Sequence, residues 1–380
     1  MMDRVAAPIE TADGATVTIE KRGTAGIVTL ARPEKRNALN SSMCRALASA
    51  YPQFAGDPTI YAVIVRSAVA GVFSSGADLA EVATLCDGDR EVARAAVGEA
   101  MQLCWRQESF TKPTVSLMDG VVVGSGFGIG LHGTHRVAGD GYAFACPETG
   151  IGLIPAGGVC HVLARLPRSI GSYLALTGNP IRRADAFRLG LITHCLPADR
   201  FEAVVTRLAD ADPVDSILDP LHHDPGPGEL AELEPAIARC FSATSVEEIL
   251  GRLDGEIGVH ATWAQETAAR LRRKSPLALK VTYRLLSEAE VLDLRELLML
   301  EHRVLCGLMA APGAGGHIRA ALVDRCGDWG WLPARLEEVT AAMVTQLFSA
   351  QTVPALTLPT RAEMQGWTAE PVGTDGRVRR

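Results

Sequence analysis

Short apolar runs alternate with longer amphipathic stretches through the first half of this chain. Thr16-Val17-Thr18-Ile19-Glu20 and Ala25-Gly26-Ile27-Val28-Thr29-Leu30 read as two strands joined by a Gly23-Thr24 turn. Tyr61 to Ser67 reads as a buried strand, and Thr114 to Leu117 is rich in the β-branched residues that suit another. Between them the spacing predicts a helix from Met43 to Phe54, capped by Asn40 or Ser41. Glu81 to Gln107 is helical in character, with an interruption at Asp87-Gly88-Asp89.

After residue 229 the pattern becomes helical. Ser245-x-x-Glu248 forms a capping-box sequence, and Ser275-Pro276 opens a helix through Leu277, Leu279, Lys280 and Tyr283. Leu294, Leu297, Leu298, Leu305 and Leu308 make an apolar stripe on a further helix. The expected organisation is a fraying N-terminus over 1–15, an α/β core over 16–208, and an exposed Asp/Pro/Gly-rich connection over 209–229. A helical extension over 230–349 and a flexible tail over 350–380, with Pro354, Pro359 and Pro371, complete it.

Composition narrows the class. Apolar residues make up 47% of 380, enough for a sizeable core. The net charge is −7 and there is no dense Lys/Arg block, so nucleic acid is not an expected partner. The longest apolar stretch, around 115–131, is broken by Asp119 and several glycines, so no membrane span is expected. The N-terminus lacks a signal-peptide apolar core, which points to the cytoplasm. Nine scattered cysteines without a Cys-x-x-Cys pair read as buried thiols, and His222-His223-Asp224 as a solvated loop, so no metal is expected.

The chemistry concentrates in 113–166. The apolar run Thr114 to Leu117 leads into Val123-Gly124-Ser125-Gly126-Phe127-Gly128, a turn whose backbone N–H groups can hold an anion or a developing oxyanion. Some twenty residues on, Glu148 lies between Pro147 and Thr149-Gly150 and offers one acid/base group. Upstream, Phe73-Ser74-Ser75-Gly76-Ala77-Asp78 follows a buried strand, and Asp78 reads as a helix cap.

Taken in order, these segments resemble the crotonase (enoyl-CoA hydratase/isomerase) superfamily. They are most similar to its 3-hydroxyisobutyryl-CoA hydrolase branch. The matching motifs are the Gly-x-Gly-x-Gly turn, His132-Gly133-x-x-Arg136-Val137-Ala138, Phe144-Ala145-x-Pro147-Glu148-Thr149 and Leu174-Ala175-Leu176-Thr177-Gly178. The resemblance implies an α/β fold of repeated ββα units with a C-terminal helical extension. It implies an acyl-CoA thioester substrate, no cofactor beyond the CoA of that substrate, and a homo-oligomer, a trimer or a multiple of one. By resemblance, the N–H groups of Ala77 and Ser125 form the oxyanion hole and Glu148 is the acid/base. The implied CoA and substrate contacts come first from Lys35, Arg36 and Ala38 in the loop before the first helix, and from Ser74, Ser75, Gly76, Asp78 and Leu79. Gly124, Gly126, Thr149, Ala156 and Lys280 complete the set.

Three positions depart from the family pattern. Hydratases carry a glutamate where this chain has Gly128, and hydrolases of the branch carry acidic groups where it has Ala100 and Ala156. Glu99 is adjacent to Ala100 but points about 100° away on a helix. Three readings therefore stand. The first is a hydrolase of a short-chain (3-hydroxy)acyl-CoA such as 3-hydroxyisobutyryl-CoA, working with Glu148 alone. The second is an enoyl-CoA hydratase or isomerase using that one glutamate, and the third is an acyl-CoA-binding protein with weak or lost catalysis. The retained oxyanion segments and Glu148 argue against the third, and the resemblance to the hydrolase branch puts the first foremost.

Overall fold

The computed structural model describes residues 9–10, 16–323, 330–349 and 353–366. Thr16–Arg22 and Ala25–Ala31 pair antiparallel, with Val17 opposite Leu30. Ala25–Ala31 then pairs in parallel with Ala62–Ser67, that strand with Thr114–Met118, and Thr114–Met118 with His135–Ala138. Ile9–Glu10 and His194–Cys195 form the edges of this seven-stranded sheet.

Each of the last three long strands feeds a short strand of a second sheet. Val72–Ser74, Val121–Val123 and Ala143–Ala145 lie side by side in parallel, and Ile181–Arg182 closes the four-stranded layer. A helix follows each pair: Leu79–Asp87, Ser125–Leu131, and Val159–Leu163 after a short turn at Glu148–Ile151. The repeated ββα units expected of the chain are present. Their consequence is that three turns, at 74–78, 123–125 and 146–148, emerge at the same end of the small sheet.

The predicted interruption at Asp87-Gly88-Asp89 separates Leu79–Asp87 from Arg90–Glu108, and Asp89 caps the second helix through the N–H of Glu91. Asn40 rather than Ser41 caps the Ser41–Gly56 helix, accepting from the N–H of Met43.

Three expectations about boundaries are corrected. The connection over 209–229 is not wholly exposed. Val214, Ile217 and Leu218 are buried with Ile27, Ile64 and Val115 beneath the large sheet, because this Pro- and Asp-rich segment still carries an apolar triad. The described part of the tail, 353–366, is not free. Leu358 is buried, the Trp105 Nε1–H donates to the Pro359 carbonyl at 2.7 Å, and Arg361 pairs with Glu108 at 2.5 Å. Likewise Ile9–Glu10, within the N-terminus expected to fray, pairs with Thr16–Arg22. The remainder of 1–15 and of 350–380 lies outside the described residues.

The extension supplies the rest of the cover. Leu294–Met309 packs on Arg90–Glu108, and Pro276–Val291 on Val159–Leu163. Among the described residues no helix is long and apolar enough to cross a membrane.

Candidate active site

The three turns at the end of the small sheet wall one cavity of about 170 Å³. Ala77 and Ser125 both line it, and neither N–H has an acceptor among the described residues. The local structure explains why. Leu39 pairs with the chain around Ala77, taking the Gly76 carbonyl at 2.7 Å and giving its own carbonyl to the Asp78 N–H at 2.8 Å. That pairing uses the groups on either side and leaves the Ala77 N–H over. Ser125 opens its helix, where an N–H has no intrahelical acceptor. The two turns also touch: a Cβ on Gly76 would stand 3.0 Å from the Val123 carbonyl oxygen.

Glu148 lines the same cavity from the third turn. Its Oε2 is buried and has no partner among the described residues. Removal from water favours the neutral acid and pushes its pKa up to about 7. Lys274 acts in the opposite direction. It is itself buried, and burial brings its ammonium down to about 8. The Ser275 N–H donates to the Thr149 carbonyl at 3.1 Å, which docks the start of the Pro276–Val291 helix on the Glu148 turn and carries Lys274 there.

A second carboxylate, Glu81, also faces the cavity, but one of its oxygens is occupied by the N–H of Ser41 at 2.9 Å. The remaining wall is mostly apolar and includes Val82, Leu85, Val97, Met101, Leu305 and Met309. Ala100 and Ala156, the two positions where an acid was expected from the resemblance and is missing, are both part of this wall. Gly128 is not. It packs near the Gly157 carbonyl, 3.2 Å from where its Cβ would be.

The expected contact residues separate into three groups. Ser75, Gly76, Leu79, Gly124 and Ala156 line the cavity. Lys35 and Arg36 are exposed on its lip, held there because the Lys35 and Arg36 carbonyls accept from the Ser75 hydroxyl and N–H. The others are corrected to supporting roles. Ser74 is buried and donates to the Asn37 carbonyl, and Gly126 packs on the Ser74 side chain. Ala38 gives its carbonyl to Arg32, whose guanidinium pairs with Asp78 at 2.7 Å while Asp78 caps Leu79–Asp87. Thr149 is buried and donates to the Leu176 carbonyl. Lys280 does not reach the cavity: its ammonium is taken by Glu247 at 2.5 Å and the Val339 carbonyl at 2.8 Å.

Four residues that bear on the site were not identified from sequence. Lys274 and Glu301 are buried close to it, and His132 bonds the Gly157 carbonyl at 2.9 Å. Arg32 anchors the lip. Two left a readable trace: His132 stands in the His132-Gly133-x-x-Arg136 motif, and Glu301 falls within the apolar stripe between Leu298 and Leu305.

Two N–H donors without acceptors, beside a carboxyl that titrates near neutrality, are the parts needed to polarise a carbonyl and move a proton next to it.

Comparison with known proteins identifies the family and the fold. Residues 25–348 match the family model for enoyl-CoA hydratase/isomerase. The mitochondrial 3-hydroxyisobutyryl-CoA hydrolase of Xenopus tropicalis is 33% identical, over 87% of this chain and 88% of that protein. The 3-hydroxyisobutyryl-CoA hydrolase 1 of Arabidopsis thaliana is 32% identical, over 90% and 93%. Among solved structures, a carnitinyl-CoA dehydratase from Mycobacterium thermoresistibile superposes with a TM-score of 0.84 at 33% identity, covering 90% of this chain and 98% of that one. An enoyl-CoA hydratase from Rhodobacter sphaeroides 2.4.1 gives 0.83 at 31% identity, covering 90% and 99%.

Proposed function

The chain belongs to the enoyl-CoA hydratase/isomerase family of acyl-CoA enzymes, and from that premise we propose that it hydrolyses a short-chain acyl-CoA thioester, with 3-hydroxyisobutyryl-CoA the first substrate to test. The observation that carries this reading is the meeting of Ala77, Ser125 and Glu148 on one cavity, with both N–H groups and the Glu148 Oε2 unengaged among the described residues. The names of the similar hydrolases support the choice of reaction and acyl group.

In the proposed reaction the thioester carbonyl oxygen accepts from the Ala77 and Ser125 N–H groups. Ionised Glu148 takes a proton from a water molecule as the water oxygen bonds to the carbonyl carbon. The negative charge moves onto the carbonyl oxygen, where each N–H is worth roughly 3–4 kcal/mol of barrier. When the tetrahedral intermediate collapses, the carbon–sulfur bond breaks and Glu148 returns its proton to the leaving CoA sulfur. The products are the free acid and CoA, and no further cofactor takes part. Lys35 and Arg36, exposed on the lip, meet the phosphates of CoA.

Enoyl-CoA isomerisation is the second reading. The alanines at 100 and 156 favour it, because moving a double bond needs one base beside the oxyanion hole and no activated water. Thiol release from 3-hydroxyisobutyryl-CoA, measured for the wild type and for Glu148→Gln, tests the first reading. It expects turnover that falls at least 10²-fold in the variant with thioester binding retained. Equal turnover in the two removes Glu148 from the mechanism.

A further inference from the structure

Glu301 is a buried acid that the reaction above leaves unused. It sits on Leu294–Met309, is 0% exposed, and belongs to the extension rather than the α/β core. Its Oε2 accepts the N–H groups of two successive residues, Gly157 at 2.8 Å and Gly158 at 2.9 Å. Its Oε1 is buried with no partner among the described residues.

The environment makes this an expensive choice of residue. Glu301 lies on the face of the helix that carries Leu297, Leu298 and Leu305, where a leucine would complete the stripe. A carboxyl taken out of water costs free energy unless hydrogen bonds replace the hydration, and here burial pushes its pKa up to about 8. What the carboxyl holds is a turn with two consecutive left-handed glycines, both at φ +79°. Successive N–H groups in such a turn converge on one point and make a concave anion site, which the Glu301 oxygen fills. The turn is gripped from another direction as well, by the His132 Nε2–H donating to the Gly157 carbonyl.

The turn matters because of what it ends. Glu148, Ile154, Ala156 and Gly157 belong to one continuous loop, and all of them line the cavity. Near its start the loop is fixed by the Ser275 N–H on the Thr149 carbonyl and by the Leu153 N–H on the Glu148 carbonyl. At its far end it is fixed by Glu301. Leu305 and Met309, about one and two turns further along the same helix, reach the cavity themselves.

We propose that Glu301 is a positioning residue for the reaction: it pins the far end of the loop that carries Glu148, and so holds that carboxyl and the adjoining Ala156–Gly157 wall in register with the oxyanion hole. The proposal rests on the reading of Glu148 as the acid/base. Glu301 does not touch substrate, and its effect is on geometry. A misplacement on the order of 1 Å costs about 10²-fold in rate.

The test compares Glu301→Gln, which keeps an acceptor of the same shape, with Glu301→Leu, which fills the stripe and removes the acceptor. Three readouts are taken on the full chain. They are kcat and KM with whichever acyl-CoA the wild type turns over, the melting temperature, and amide hydrogen exchange in the 152–164 peptide. The expected result is a kcat within about threefold of wild type for Glu301→Gln. For Glu301→Leu, kcat falls about 10²-fold with KM little changed, and exchange in 152–164 accelerates. A Glu301→Leu protein with wild-type kcat overturns the proposal, as does a Glu301→Gln protein that loses as much as the leucine variant. If Glu301→Leu does not fold, Glu301→Asp, one methylene too short to serve both N–H groups, takes its place with the same expectations. If the wild type turns over none of the acyl-CoAs, the reading of Glu148 fails by itself. Exchange in 152–164 then decides the clamp, and unchanged exchange in Glu301→Leu overturns it.

Discussion

The Oε1 of Glu148 occupies the space beside Gly124 where any other residue would put its side chain: a Cβ there would stand 2.1 Å from that oxygen. Gly124 also has φ +50°, in the region glycine tolerates at no steric cost. The glycine that shapes the turn before Ser125 therefore also makes room for the carboxyl.

Gly124→Ala is expected to displace Glu148 and to strain the turn together. Turnover should drop by roughly 10²-fold or more, the cost of moving a reacting group by about 1 Å. The packing of Ala25–Ala31 against Ala62–Ser67 in the large sheet should be untouched. Steady-state kinetics with near-unchanged far-ultraviolet circular dichroism checks this, and a fully active Gly124→Ala protein contradicts the observed contact.

The pH dependence has a definite sign. Glu148 works as a base only when ionised, and burial sets its pKa near 7. The kcat/KM of the wild type should therefore rise with pH through a midpoint close to 7. The Lys274 ammonium favours the ionised carboxylate and lowers that midpoint. Lys274→Met removes the cation, so the midpoint should move to higher pH, with the plateau rate reached later. Lys274→Arg should keep it near the wild-type value. A midpoint that stays in place in Lys274→Met shows that the two groups do not communicate.

Ala156 lines the cavity a few residues along the same loop from Glu148. An acid introduced there by Ala156→Asp adds a second group able to orient water. Thioester hydrolysis should increase several-fold if the cavity still presents its substrate to the loop as the hydrolase reading requires. An unchanged or lower rate, measured at saturating substrate, assigns the cavity to a reaction that needs no activated water.

How much of this could be read from the chain depended on how local each signal was. The turns at 74–78 and 123–125 are short contiguous motifs, so the sequence already groups Gly76, Ala77, Gly124 and Ser125, which line one cavity. Asp78 was correctly read as a cap because its acceptor role is fulfilled two and three residues away, at Ala80 and Glu81. Lys280 was misplaced. A lysine on an amphipathic helix can point to a ligand or to a neighbouring carboxylate, and here Glu247 claims it. Glu301 and Lys274 meet the Glu148 loop only after the extension folds back across more than a hundred residues. The sequence around them records only a helix stripe and a Ser-Pro helix start. The connection and the tail were read as free from their Pro and Asp content, which hid the few apolar groups that dock them, Val214, Ile217, Leu218 and Leu358.

The central claim is that Glu148 and the two N–H groups together hydrolyse a CoA thioester. The most direct measurement is mass spectrometry of the protein incubated with 3-hydroxyisobutyryl-CoA, crotonyl-CoA and a 3-enoyl-CoA, in parallel with Glu148→Gln. The 3-enoyl sample is also run on a column that resolves positional isomers. The predicted result is free CoA and free acid from the first substrate, lost in Glu148→Gln. A gain of one water on crotonyl-CoA, an isomer shift without CoA release, or bound thioesters that stay unchanged would contradict it.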